Sequence, residues 1–296
     1  MQWQKSTQSA YITWVHIEAI KRPKPASILG YGRIRGSKFG LGAEHPSVAN
    51  DLSSLAQLLQ DTNHLAEAEP LMRRALAIDE QSFGAEHPNV ARDLNNLAGL
   101  LQATNRLAEA EPLMRRALAI DEHSFGAEHP DVARDLNNLA LLLQASNRLA
   151  EAEPLMRRAL AIDEQSFGAG HPDVARDLNN LAGLLQATNR LAEAEPLMRR
   201  ALAIDEHSFG AEHPDVARDL NNLARLLQAT NRLAEAEPLM RRALAIFVAS
   251  LGADHPNSQT VMGNYAALLG EMGHGEEEVR ERFQSLQREL LGQSST

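Results

Sequence analysis

Between Pro130 and Ala145 the apolar residues Val132, Leu136, Leu139, Ala140 and Leu143 recur at spacings of three and four, which places them on one side of an α-helix. Ser146-Asn147-Arg148 breaks the pattern, and Asn147 is expected as a cap. A second amphipathic segment runs from about Arg148 to Glu164, burying Ala152, Leu155, Met156, Ala159 and Ile162, with Gly168 beyond it as a stop. Each predicted helix has about 16 residues and is roughly 24 Å long. Pro130 suits a first helical position and holds His129 in the extended conformation of a cap, while Asp131 sits where the helix dipole favours an anion.

This pair of segments returns along the chain. A His-Pro step opens each copy at His45, His87, His129, His171, His213 and His255, always 42 positions after the last. A single copy cannot bury its apolar faces, so neighbouring copies must stack. The expected architecture is all-α, a six-copy solenoid over 39–291 with copies at about 39–82, 83–124, 125–166, 167–208, 209–250 and 251–291. Pro154, like Pro70, Pro112, Pro196 and Pro238, falls inside the second helix, where a proline costs about 3 kcal/mol. Either the stack absorbs a bend there, or the helix starts later, near Glu153. The sixth copy diverges around Gly263, Tyr265 and Gly273-His274-Gly275. Its last helix keeps a narrow stripe of Val279, Phe283, Leu286 and Leu290, with Glu276–Arg280 and Glu278–Arg282 at ion-pair spacing, as a closing cap would. Residues 292–296 are expected to be a disordered tail.

Composition separates the first 38 residues from the rest. They hold all four lysines, both tryptophans and seven cations against Glu18 alone, so they carry a net +6 and leave −16 for the remainder of a chain of net −10. This basic segment is expected to be poorly ordered. Its glycines, Gly30, Gly32 and Gly36, have the wrong spacing for a phosphate loop. Thr13, His16 and Glu18 interrupt its apolar stretch, which makes it a poor signal peptide. The acidic body argues against a nucleic-acid partner. With no cysteine there is no disulfide framework and no Cys-ligated metal. No apolar run approaches the ~18 residues of a membrane span, and cytoplasm is the default compartment.

Leu136, Leu139, Ala140, Leu143, Ala152, Met156 and Ala159 match the spacing of the tetratricopeptide signature, whose repeat is about 34 residues long. The extra length lies in the turn FGAEHPDV. The 42-residue form, with HPDVA, LNNLA, AEPL and RALAI, resembles the tetratricopeptide domain of kinesin light chains and its bacterial relatives, from Phe39 to about Leu269. It departs from the short consensus in lacking a proline near Glu164. Nothing resembles the coiled coil that joins kinesin heavy chains. The resemblance implies a right-handed superhelical solenoid of antiparallel helix pairs, with the first helices lining a concave wall that grips extended peptides.

On the first helix, Arg134, Asn138, Leu141 and Ala145 form one stripe beside Asn137. The stripe recurs as Arg92/Asn96, Arg176/Asn180 and Arg218/Asn222, and the first copy breaks it with Asn50 and Ser54. Asparagine can both donate to and accept from a peptide backbone, and arginine pairs with carboxylates. One wall position varies through Gln57, Gly99, Leu141, Gly183, Arg225 and Ala267, as tuning of a groove or drift after duplication would leave it. The candidate peptide-binding residues are therefore Arg92, Asn96, Arg134, Asn138, Leu141, Arg176, Asn180, Arg218, Asn222, Arg225 and Asn264. Competing explanations are equally concrete: Arg134 can pair with Asp131 or Asp135, and Asn138 can bond a neighbouring helix.

The one-per-copy histidines read as turn residues, because packed helices lie about 8–10 Å apart and equivalent side chains cannot share an ion. Glu151/Glu153 and Asp163/Glu164 read as solvated faces, and no catalytic constellation or cofactor site stands out. The function expected is a non-catalytic adaptor for extended, acidic or carboxylate-terminated peptides. The alternative is a spacer or self-associating scaffold.

Overall fold

The computed structural model describes residues 42–293, so the expectation about residues 1–38 lies outside the described residues. The chain divides into two compact units, up to Ala127 and from Glu128. The described part of the first holds α1 (Pro46–Asp61), α2 (Leu65–Phe83), α3 (Pro88–Ala103) and α4 (Leu107–Phe125). The second holds α5 (Pro130–Ala145), α6 (Leu149–Phe167), α7 (Pro172–Ala187), α8 (Leu191–Phe209), α9 (Pro214–Ala229), α10 (Leu233–Leu251), α11 (Pro256–Glu271) and α12 (Glu276–Gln293). Among the described residues there are twelve helices and no strand. Helix α12 runs two residues into the stretch expected as a tail.

The opening of each odd-numbered helix follows from its His-Pro step. His171 is extended (φ −81°, ψ 145°), its Nδ1 accepts from the Asp173 amide at 3.2 Å, and Pro172 takes the first helical position. The same ring stacks on Phe167, the last residue of α6, at 4.6 Å between centroids. The histidines thus have a structural role as helix caps. Gly168 ends α6 at φ 85°, a backbone conformation that side-chain-bearing residues resist.

The turn inside each pair differs from expectation. Asn147 has φ 58°, so it supplies the left-handed reversal, which asparagine tolerates better than most residues, and it does not cap α6. The cap position falls to Arg148, whose side chain makes no capping bond and instead grips Glu151 with two hydrogen bonds of 2.7 Å. The second helix also continues to Phe167, three residues past Glu164, because Gly168 is the first residue able to stop it.

Helix α6 starts at Leu149 and passes through Pro154, so the later start near Glu153 is not what forms. Pro154 and Ala150, whose carbonyl loses its amide partner, are both exposed. Water can satisfy that carbonyl, which limits the proline's cost.

The cores are built from small and branched residues. In the second unit Val174, Ala175, Leu178, Ala201 and Ile204 form one cluster, with Leu160 and Leu197 packed against it. Val90, Ala91, Leu94, Ala117 and Ile120 repeat it in the first. The predicted first-helix stripe is buried throughout, while Leu155 is only partly so.

The last copy is closed by other means. Tyr265 is 1% exposed, its hydroxyl donates to Glu237 at 2.7 Å, and its ring meets Phe283 edge-on at 5.5 Å. Arg280 pairs with Glu277 and Arg282 with Glu237, in place of the expected Glu276 and Glu278, and Glu278 binds His274. Leu286 is buried, and Val279 and Phe283 are partly so.

Candidate functional site

The adjacent asparagines on each first helix point in directions about 100° apart, as residues in sequence on a helix must, and they do different things. Asn137 of α5 is 3% exposed and donates to Asp177 of α7. Asn179 of α7 donates to Asp219 of α9 at 2.8 Å. By contrast Asn96, Asn138, Asn180 and Asn222 are partly exposed and have no hydrogen-bond partner among the described residues. In α5 and α7 the following first helix therefore occupies the first asparagine of the pair and leaves the second available. Asn264 stands apart from them, because its amide donates to Asn221 at 2.9 Å.

The arginines are engaged within the chain. Arg176 binds Asp173 on its own helix, Asp163 of α6 at 3.3 Å and Asp177 at 3.3 Å. Arg134 binds Asp131 and Asp135, and Arg218 binds Asp215, Asp205 and Asp219. In the first unit Arg92 reaches Asn50, Asp79 and Asp93. Their side chains stay 43–47% exposed. Arg225 is exposed and has no partner among the described residues, and Leu141 is 36% exposed. At Gly99 and Gly183 an added Cβ would meet nothing within 4 Å, so the varying wall position faces open space in both units.

Beneath the arginines lies the feature that sequence reasoning missed. Asp163 is 1% exposed and Asp177 0%, and Asp205 and Asp219 repeat them at 2% and 1%. Asp163 is thus no solvated face, whereas its neighbour Glu164 pairs with Arg200 in the next copy. Burial pushes the Asp177 and Asp219 carboxyls up to about 7, the neighbouring acid adds to this, and Arg176 or Arg218 opposes it. Spacing carried the signal: Asp177 lies three residues after Val174 and four before Leu181, and Asp163 four after Ala159. Both are buried helical phases, which the acidic character of the residues obscures. Glu153 is likewise engaged, held by Arg157 and by Arg190 of the next copy, which keep its carboxyl below the usual range.

Two crevices open on this side of the second unit. One of about 180 Å³ lies between the starts of α5 and α7, lined by Asp131, Arg134, Phe167 and Arg176. The other, about 250 Å³, lies between α9 and α11, lined by Arg218, Asn221, Phe247, Thr260 and Val261. Among the described residues no group of three or more His, Asp or Glu side chains is placed to hold a metal ion. No described helix is long and apolar enough to cross a membrane.

No curated protein matches the chain. Solved structures do. The structure of BtubC (BKLC) from P. vanneervenii aligns with a TM-score of 0.64 and 26% identity, covering 78% of this chain and 91% of that one. A candidate kinesin light chain from Podosopora anserina with nearly identical tetratricopeptide-like repeats aligns with a TM-score of 0.59 and 28% identity, covering 70% of this chain and 98% of that one. A single-substitution variant of that protein gives 0.60, 27%, 69% and 96% respectively. The tetratricopeptide repeat profile matches residues 52–123, 94–165, 131–207, 173–247 and 220–280. With helix pairs of this form in every matched stretch, the chain belongs to the tetratricopeptide repeat family, whose repeats are typically protein–protein interaction scaffolds.

Proposed function

We propose that the protein is a non-catalytic adaptor that binds extended peptide segments of other proteins along the first-helix face of its second unit. The observation that carries this reading is the division of labour between adjacent asparagines. Asn138, Asn180 and Asn222 each keep a free donor and acceptor at the surface, at a fixed interval, while their neighbours hold the fold. Such amides suit a peptide backbone whatever its side chains are. Leu141 and Arg225 then read side chains, Arg225 favouring an acidic one. Arg134, Arg176 and Arg218 border the face, and a ligand carboxylate must compete with the acids they already hold. In the first unit Asn96 and Arg92 are the corresponding residues.

That competition also favours a second reading, a structural spacer whose polar face has no ligand. Peptides selected from a random display library on the full chain separate the two. The adaptor reading expects binders, a loss of at least tenfold in affinity for Asn138→Ala/Asn180→Ala/Asn222→Ala with helicity unchanged, and weaker binding of acidic peptides to Arg225→Glu. Absence of binders, or binders indifferent to both variants, would leave the spacer.

A further inference from the structure

We propose that three seams between consecutive helix pairs each store one proton between two buried carboxyl groups, Asp163 with Asp177 and Asp205 with Asp219 in the second unit and Asp79 with Asp93 in the first, so that packing at these seams responds to pH. In each case the first acid comes from the end of a second helix and the other from the following first helix. One arginine bridges each pair: Arg176 lies 3.3 Å from both Asp163 and Asp177, Arg218 lies 3.4 Å from Asp205 and 3.5 Å from Asp219, and Arg92 lies 3.3 Å from both Asp79 and Asp93. Two ionised carboxylates have only lone pairs to offer each other, so a hydrogen bond between them requires that one be protonated.

The surroundings cannot neutralise two charges. Facing Asp163 and Asp177 are Arg176, Asp173 and the cap His171 from α7, and Asn137 from α5, with Asp131 and Arg134 of α5 lining the crevice above. Among the described residues Arg176 is the one cation bonded to the pair, and it is shared with Asp173. Around Asp205 and Asp219 stand Arg218, Asp215, His213 and Asn179, and around Asp79 and Asp93 stand Arg92, His87 and Ser53. After these bonds are counted, Asp163 Oδ1 and Asp177 Oδ2 have no partner, and the same atoms are left over in the other two pairs. A shared proton satisfies what the arginine does not.

The last copy supplies a control written into the chain. The positions of Asp205, Asp219 and Arg218 recur 42 residues later as Phe247, Val261 and Thr260, with Phe247 4% and Val261 3% exposed. Asn221, whose counterparts bond the second acid, pairs with Asn264 instead. All the polar members change together, and the helices still pack. At this seam the acids and their arginine are therefore dispensable for packing.

The direction follows from linkage. Burial raises the folded-state values, to about 6 for Asp93 and about 7 for Asp177 and Asp219, above the ordinary 3.8. Stability from the shared protons is then fully present below 3.8 and lost as pH rises through the folded values. Calorimetric unfolding of the full chain at pH 5.5, in buffers of different ionisation enthalpy, should release about one proton per pair. Asp177→Asn, which keeps the shape and a donor, should release one fewer, and its Tm advantage over wild type should be larger by several degrees at pH 8.5 than at pH 5.5. Asp219→Asn should repeat this at the second pair. No proton release, or an equal loss of Tm at both pH values in both variants, would overturn the proposal.

Discussion

Within the second unit, the interface between α8 and α9 and the one between α10 and α11 solve one packing problem in opposite ways. The first buries Asp205 and Asp219 under Arg218; the second buries Phe247 and Val261 beside Thr260. The same contrast runs through the outer brace. Glu195 is held by Arg232 and Arg199, whereas its counterpart Glu237 is held by the Tyr265 hydroxyl and Arg282, because His274 stands where the arginine would be. Helices of the same lengths are thus compatible with a polar, pH-dependent seam and with a dry one. The seam's chemistry is separable from the fold.

The largest effect should come from forcing the polar solution into the dry seam. Phe247→Asp removes a buried ring and places a carboxyl where no arginine waits, costing on the order of 4 kcal/mol. Urea unfolding and hydrogen exchange in α10 and α11 would show it, and a loss below about 1 kcal/mol would mean the seam is looser than described. The reverse transplant, Asp163→Phe/Arg176→Thr/Asp177→Val, should stabilise the chain by about 1–4 kcal/mol at pH 8. At pH 5 the gain should shrink, because the shared proton already relieves the pair; a gain independent of pH would break the comparison.

Smaller differences belong to the braces. Tyr265→Phe should cost about 1 kcal/mol, a loss that persists in high salt because the hydroxyl is buried. Glu195→Gln should cost less than about 1 kcal/mol and fade in 1 M salt, since its arginines are substantially exposed. Equal salt sensitivity would erase the distinction. In acid the inner braces set the limit. Arg157 with Arg190 holds Glu153 below its ordinary 4.5, so this stability is present above that value and lost as pH falls through the lowered one. Acid unfolding of Glu153→Gln should show a shallower pH dependence than wild type.

Much of the architecture is legible without coordinates, because His-Pro steps fix the helix starts and a 42-residue period fixes their number. The start of α5 at Pro130 and its end at Ala145 follow from the pattern. The candidate face was less legible, for two physical reasons. Acidic residues at buried helical phases, such as Asp177, look solvated until the partner Asp163 arrives from another helix. Which of two adjacent asparagines is consumed depends on where the next helix lies, and periodicity within one helix does not contain that. The arginines show the same limit: Arg134 was readable either as a ligand contact or as a partner of Asp131 and Asp135, and only packing shows that both acids bind it.

The most direct test sets Asn179→Ala against Asn180→Ala, measuring stability and the affinity of one selected peptide in both. Asn179→Ala should lower the unfolding free energy by about 1–2 kcal/mol, because it strands the buried Asp219. Asn180→Ala should leave stability unchanged within about 0.5 kcal/mol and weaken the peptide several-fold. If Asn180→Ala destabilises as much as Asn179→Ala, or leaves the affinity untouched, the second asparagine belongs to the fold and the account of the binding face is wrong.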